Sequence, residues 1–212
     1  MDTFEAFVQD LGITPNRKHK SAVLPATQPA PYKVEGGTGQ VTNPVGLILA
    51  PDAGLGYLLN LAIYLGLQGG QLVIDGSNRF DLHYVAYGFR RFTPSWEQAA
   101  RRTHIVRAFT CYEMVKALEQ VPPEPQPLLV IDLLAAFYDE AVTDRQSVLL
   151  TQKALGQIKR IKTQRPAIIS LSPPPADQPS RKGLNSLVRE AVDAIYVEPQ
   201  RPEIEKQLSF LG

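Results

Sequence analysis

Apolar residues along this chain fall into short continuous runs separated by stretches with helical spacing. The runs cover about residues 45–50, 71–75, 104–109, 128–132, 167–171 and 194–197. Between them, apolar positions recur every three or four residues over about 55–67, 81–89, 112–120 and 143–162, which predicts helices. The last of these opens on Thr143-Asp-Arg-Gln146, a capping-box pattern, and carries Val148, Leu155, Ile158 and Ile161 at helical spacing. A strand buried on both faces reads as a continuous apolar run. Such runs alternating with helices therefore predict an α/β fold with a mostly parallel sheet and helices on both faces. The segment 172–181 is a proline-rich loop leaving the carboxyl end of a strand, the end where open α/β sheets hold ligands.

The regular pattern begins only after Pro44. Residues 3–11 predict a short helix with Phe4, Phe7, Val8 and Leu11 on one side, which either packs on its own domain or docks on a partner subunit. From residue 12 to 44 the chain is rich in Pro, Gly, Thr and Gln and holds the basic run Arg17-Lys18-His19-Lys20, so it reads as an arm or linker. Residues 199–212 read as a tail. The expected organisation is an N-terminal helix and arm (1–44), a core domain (45–198) and a C-terminal tail (199–212).

Composition narrows the classes. With 212 residues, 44% hydrophobic and 20% charged, the chain can bury a sizeable core. A net charge of +1 gives no global pull toward nucleic acid or membrane, so such binding needs a local patch. One cysteine, Cys111, allows no intrachain disulfide, and the longest apolar stretch is broken by Pro51, Asp52, Asn60 and several glycines. The N-terminal residues also lack the basic start of a secretory signal, and the expectation is a soluble cytoplasmic protein.

Several segments together resemble the RecA/RadA recombinase superfamily. Leu72-Val-Ile-Asp-Gly-Ser-Asn-Arg-Phe80 is similar to that family's second strand, and His104-Ile-Val-Arg-Ala-Phe-Thr-Cys-Tyr-Glu-Met114 to its "ARAF" strand and following helix. Leu128-Leu-Val-Ile-Asp-Leu-Leu134 resembles a Walker B strand, and Asp144-Arg-Gln146 the family's "ERQ". The resemblance spans about residues 45–197 and implies a RecA-like, P-loop NTPase type of fold.

At the P-loop position the chain departs from the family pattern. A working P-loop places Lys on the β/γ-phosphates and a Ser/Thr hydroxyl on Mg²⁺. Here Ala50 stands for the first glycine, Leu55 for the second, Gly56 for the lysine and Tyr57 for the hydroxyl residue, with Asp52 and Gly54 between them. Ser77 occupies the place of the family's water-activating Glu, two residues after Asp75, and a neutral hydroxyl is a poor base near pH 7. Asp132 keeps the Walker B acid. The resemblance therefore implies a degenerate nucleotide site without catalytic residues. Asp132 then binds a metal or is satisfied by nearby hydroxyls and backbone. No cofactor is expected, with weak anion binding by loop N–H groups as the alternative.

Other candidates carry ordinary readings beside their functional ones. Arg90, Arg91, Arg101 and Arg102 bracket Phe92 and Trp96, which reads as a single-strand nucleic-acid contact or a solvated connector. Arg181 and Lys182 fall in the region resembling the family's DNA-contacting loop, altered here by three consecutive prolines. His83 and His104 are far apart with no cysteine cluster, so no metal site is expected, and Cys111 reads as a buried structural thiol. The function these readings imply is a non-catalytic RecA-like paralogue that supports DNA recombination or repair by binding. Its partner would be a recombinase, another protein subunit, single-stranded DNA or a second copy of itself. The alternative is a nucleotide-responsive regulator or ATPase with a divergent phosphate loop.

Overall fold

The computed structural model describes residues 3–11 and 43–198. The arm with its basic run and the 199–212 tail lie outside the described residues. Six strands, β1 (Val45–Leu49), β2 (Gln71–Asp75), β3 (Thr103–Arg107), β4 (Leu128–Ile131), β5 (Ala167–Leu171) and β6 (Ala194–Val197), form one sheet in the order β3-β2-β4-β5-β1-β6. Every neighbouring pair is parallel. All strands therefore begin at one edge of the molecule and end at the other.

Residues along each strand point alternately to the two faces, and the cores divide accordingly. On β4, Leu128 and Val130 join a core formed with α5 (Cys111–Glu119), α6 (Asp144–Lys162) and α7 (Gly183–Glu190). Leu129 and Ile131 join the opposite core, formed with α1 (Thr3–Asp10), α2 (Leu55–Gln68), α3 (Leu82–Phe92) and α4 (Trp96–Arg101). The central strands are fully buried because both faces are covered, which is why they read as unbroken apolar runs.

Helix starts follow local hydrogen bonding. Asp81 caps α3 by accepting from the N–H groups of His83 and Tyr84, both at 2.9 Å, so the helix begins one residue after the position its apolar pattern suggests. Thr143 and Gln146 form the capping box of α6. Thr110 and Glu113 form a second box that starts α5 at Cys111.

The structure departs from the sequence reading in three places. Helix α3 runs on to Phe92, and the stretch read as a connector holds α4, a helix of six residues, too short to show periodicity. Helix α7 lies where the apolar pattern above predicts no element. Val148, placed on the inward face of α6, is 39% exposed, whereas Ser147, Leu150, Thr151, Ala154, Leu155, Ile158 and Ile161 face the core. Two polar residues on the buried face had masked its true phase. No helix among the described residues is long and apolar enough to cross a membrane.

Candidate functional site

Parallel strands bring the residues that leave them to a single carboxyl-end edge. Because β5 lies between β1 and β4, Ser172 adjoins both Asp132 and the start of the 50–57 loop, where Ala50 N–H donates to the Leu171 carbonyl at 3.3 Å. Asp75 ends β2, on the other side of β4. The topology thus gathers the candidate nucleotide-site residues on three neighbouring strand ends and one loop.

The 50–57 loop is a tight turn. Ala53 N–H donates to Ala50 O at 3.0 Å and Leu55 N–H to Asp52 O at 3.1 Å. Ala53 and Gly54 are both left-handed, with φ of 52° and 63°. A Cβ on Gly54 would lie 2.7 Å from the Ile48 methyl Cγ2, so this position needs glycine for space as well as for φ. Leu55 is half-buried against the α1–α4 core. Gly56 is exposed, and a Cβ there would meet nothing within 4 Å.

Tyr57 turns its ring to Phe4 of α1, with centroids 4.4 Å apart, and to Tyr196 of β6 at 6.0 Å. Asp52, the charged residue of the loop, is 78% exposed and pairs with Arg79 at 3.2 Å. The cation nearest the loop therefore comes from the segment after β2. Sequence reasoning missed Arg79, since nothing in its spacing places it over a loop 27 residues earlier.

Asp75 is fully buried and its oxygens are spent on the chain that follows it. Oδ1 accepts from the N–H groups of Ser77 and Arg79, each at 3.2 Å, and from the Ser77 hydroxyl at 3.4 Å; Oδ2 accepts from Phe80 N–H at 2.9 Å. Arg107 Nε stands 3.9 Å away. The side chain acts as a turn organiser for 76–80. Ser77 faces this carboxylate as a donor.

Asp132 has φ of 50° and is 5% exposed. Ser172 donates to it from its N–H at 3.0 Å and from its hydroxyl at 3.0 and 2.9 Å, while Asp132 N–H donates to the Ser170 hydroxyl at 3.0 Å. Burial pushes the Asp132 carboxyl above its ordinary value, against the downward pull of the Ser172 bonds and the Arg79 charge. Ser172, the partner of this carboxylate, and Ser170, the partner of the Asp132 N–H, could be suspected from sequence only once β5 is known to lie beside β4.

A cavity of about 230 Å³ opens beyond the ends of β1, β5 and β6, between Leu49, Pro51, Leu171, Pro173 and Val197, with Ser172 and Glu198 on its wall. Among the described residues no Lys or Arg lines it, so they offer no positive charge to a phosphate there.

The basic candidates separate. Arg181 is 7% exposed: Nε pairs with Asp144 at 2.9 Å, Nη1 donates to the carbonyls of Phe137 at 3.0 Å and Asp139 at 2.8 Å, and Nη2 to that of Val142. This corrects the reading of Arg181 as a nucleic-acid contact, since its donors are consumed in holding the 137–144 loop. Its bond to Asp144 holds that carboxyl below the ordinary value. Lys182, beside it, is exposed.

Arg90, Arg91, Arg101 and Arg102 are exposed and lie at the opposite, amino-end edge of the sheet. Phe89 near the end of α3 and Thr103 at the start of β3 border the same spot beside Gly66, and Arg102 O accepts from Gln71 N–H at the start of β2. Arg90 stacks over Trp96 at 4.4 Å and Arg91 lies 5.9 Å from the Phe92 ring.

The N-terminal helix packs on its own domain. Phe7, Val8 and Leu11 are buried in the α1–α4 core and Phe4 joins the Tyr57–Tyr196 cluster, so the reading of these four as partner contacts is corrected. Gly46 makes room for them: a Cβ there would lie 2.3 Å from Leu11 Cδ1 and 2.8 Å from Phe7 Cζ. Cys111 is buried and its thiol is pushed up by desolvation. Among the described residues no group of His, Cys, Asp or Glu could hold a metal ion. No protein-family model matches the chain, and no curated protein matches it.

Proposed function

We propose that this chain is a non-catalytic RecA-like paralogue of the cytoplasm, which supports DNA recombination or repair by binding rather than by hydrolysing a nucleotide. The observation that carries the reading is the condition of the carboxyl-end edge. Asp75 is spent on the 76–80 turn, Asp132 is held by Ser172, and Arg79 is held by Asp52. The loop has Gly56 and Tyr57 where a P-loop has its cation and metal ligand. Phosphoryl transfer depends on positioned charge around the phosphates, and this edge supplies little of it.

Binding to the native state stabilises a protein by RT ln(1 + [L]/Kd), about 2.7 kcal/mol at a hundredfold excess over Kd. Thermal melts with millimolar ATP and Mg²⁺ are expected to match the ligand-free melt, with no phosphate released over the background rate. A clear upward shift, or turnover abolished by Asp132→Ala, would overturn the reading. The Arg79 guanidinium beside the loop favours the second reading, a nucleotide-responsive regulator. In that case an ATP-dependent shift appears without turnover and is lost in Arg79→Ala.

A further inference from the structure

The amino-end edge carries a surface of a different character from the site just described. Four arginines, Arg90, Arg91, Arg101 and Arg102, stand there beside one glutamate, Glu97, in a chain whose net charge is +1. Tyr87 and Phe92 are 65% and 66% exposed, far more than aromatic rings in a covered helix face, and Tyr84 is 44% exposed. Gly88, Val85 and Phe89 seat α3 on α2, with a Gly88 Cβ position only 2.3 Å from Ile63 Cδ1, so the opposite side of the helix faces outward.

Tyr84, Tyr87 and Arg91 follow one another at spacings of three and four and share a side of that helix. Arg91 ends close to Phe92, and Arg90 lies over the Trp96 ring. Arg101 and Arg102 extend the cationic surface at the end of α4. Glu97 and Asp81 are the acidic residues on these elements, and Asp81 is committed to its cap.

We infer that this α3–α4 face binds single-stranded nucleic acid, with Tyr87 and Phe92 stacking on bases and Arg91, Arg101 and Arg102 facing phosphates. Open aromatic faces interleaved with arginine meet what such a ligand presents, a π-face at every base and a charge at every linkage. An acidic peptide would match the charge but leave the rings without partners. The inference deepens the binding role proposed above and rests on it only in expecting binding. It does not use the 172–182 loop, where Arg181 is buried.

The test is fluorescence anisotropy of a labelled oligo(dT) titrated with the full chain over a range of KCl concentrations, with unlabelled oligo(U) as competitor. Saturable binding that weakens with salt is expected. Tyr87→Ala with Phe92→Ala should weaken it about tenfold or more at an unchanged salt slope. Arg91→Ala with Arg101→Ala should make the log–log salt slope shallower by about 1.4. Both pairs are at the surface, and matching melting temperatures show that the fold is kept. Lys153→Ala on the far side of the sheet should change nothing.

Competition by oligo(U) as effective as by unlabelled oligo(dT) assigns the site to either nucleic acid, and weaker competition assigns it to DNA. Absence of binding at low salt, or equal weakening by Lys153→Ala, overturns the inference. So does a change of sedimenting mass in the aromatic variant with anisotropy unaltered, which assigns the face to self-association. Nucleotide turnover in the same preparation would overturn the proposed function and leave this inference standing.

Discussion

Asp132 is a buried carboxyl in a left-handed backbone conformation, and its charge works against the fold. Because burial raises its pKa, the native state holds the proton more tightly than the unfolded chain does. This group's contribution to stability therefore falls as pH rises from the ordinary carboxylate value to the raised one, and above that window the full cost is present. Asp132→Asn removes the charge, keeps an acceptor for the Ser172 N–H, and tolerates positive φ. The variant should melt at or above the wild-type temperature at neutral pH and lose that advantage on acidification below the window. Melts across a pH series decide it; a variant clearly weaker at neutral pH would mean that the carboxylate charge is needed.

Arg181 presents the opposite case. Its removal leaves the Val142 carbonyl without its donor, at a cost of about 1–3 kcal/mol, while the carbonyls of Phe137 and Asp139 keep the Ser147 hydroxyl and the Val142 N–H. Arg181→Met should cost about 1–3 kcal/mol in urea denaturation, whereas Lys182→Met should cost almost nothing. Equal, small effects of the two would return Arg181 to the surface-contact reading.

Among elements, α1 is the one joined to the core by the longest stretch of chain outside the described residues. Its seat depends on the bare backbone of Gly46. Gly46→Ala places a methyl against the tips of Leu11 and Phe7, which yield more readily than the backbone of a central strand. Hydrogen exchange of α1 amides should rise, while β1 amides, bonded to both β5 and β6, keep their protection. Loss of protection in β1 as well would show that α1 and the sheet open as one unit.

Elements also mark how far the sequence could be read. The strands and the long helices are written in apolar phase, which depends only on neighbours along the chain. Helix α4 is too brief for phase to register, and the buried Ser147 and Thr151 disguise that of α6. Chain-local patterns also cannot reveal that Arg79 meets Asp52, that Ser172 holds Asp132, or that Arg181 is enclosed, because each pairing spans at least 27 residues. The left-handed Ala53 and Asp132 carry no glycine to announce them.

At the scale of the whole molecule, the parallel sheet separates two chemistries. Asp75 and Asp132, held by protein partners, stand at the carboxyl-end edge, and Arg90, Arg91, Arg101 and Arg102 stand with the exposed Phe92 at the amino-end edge. On the proposed reading, the first edge binds no nucleotide because it lacks charge and a hydroxyl at two positions, not because the scaffold is closed there. Gly56 has open space around its Cβ position, so Gly56→Lys introduces the missing cation without a clash. Tyr57→Ser introduces the hydroxyl and removes a ring from the Phe4–Tyr196 cluster, which should lower the melting temperature. The double variant is expected to be less stable than the wild type without ligand, yet to gain a thermal shift with ATP and Mg²⁺. It should still release no phosphate, since Ser77 supplies no base. A double variant indifferent to ATP would show instead that the Asp52–Arg79 pair or the tight 50–55 turn excludes phosphate by shape, and that restoring charge alone cannot reopen the edge.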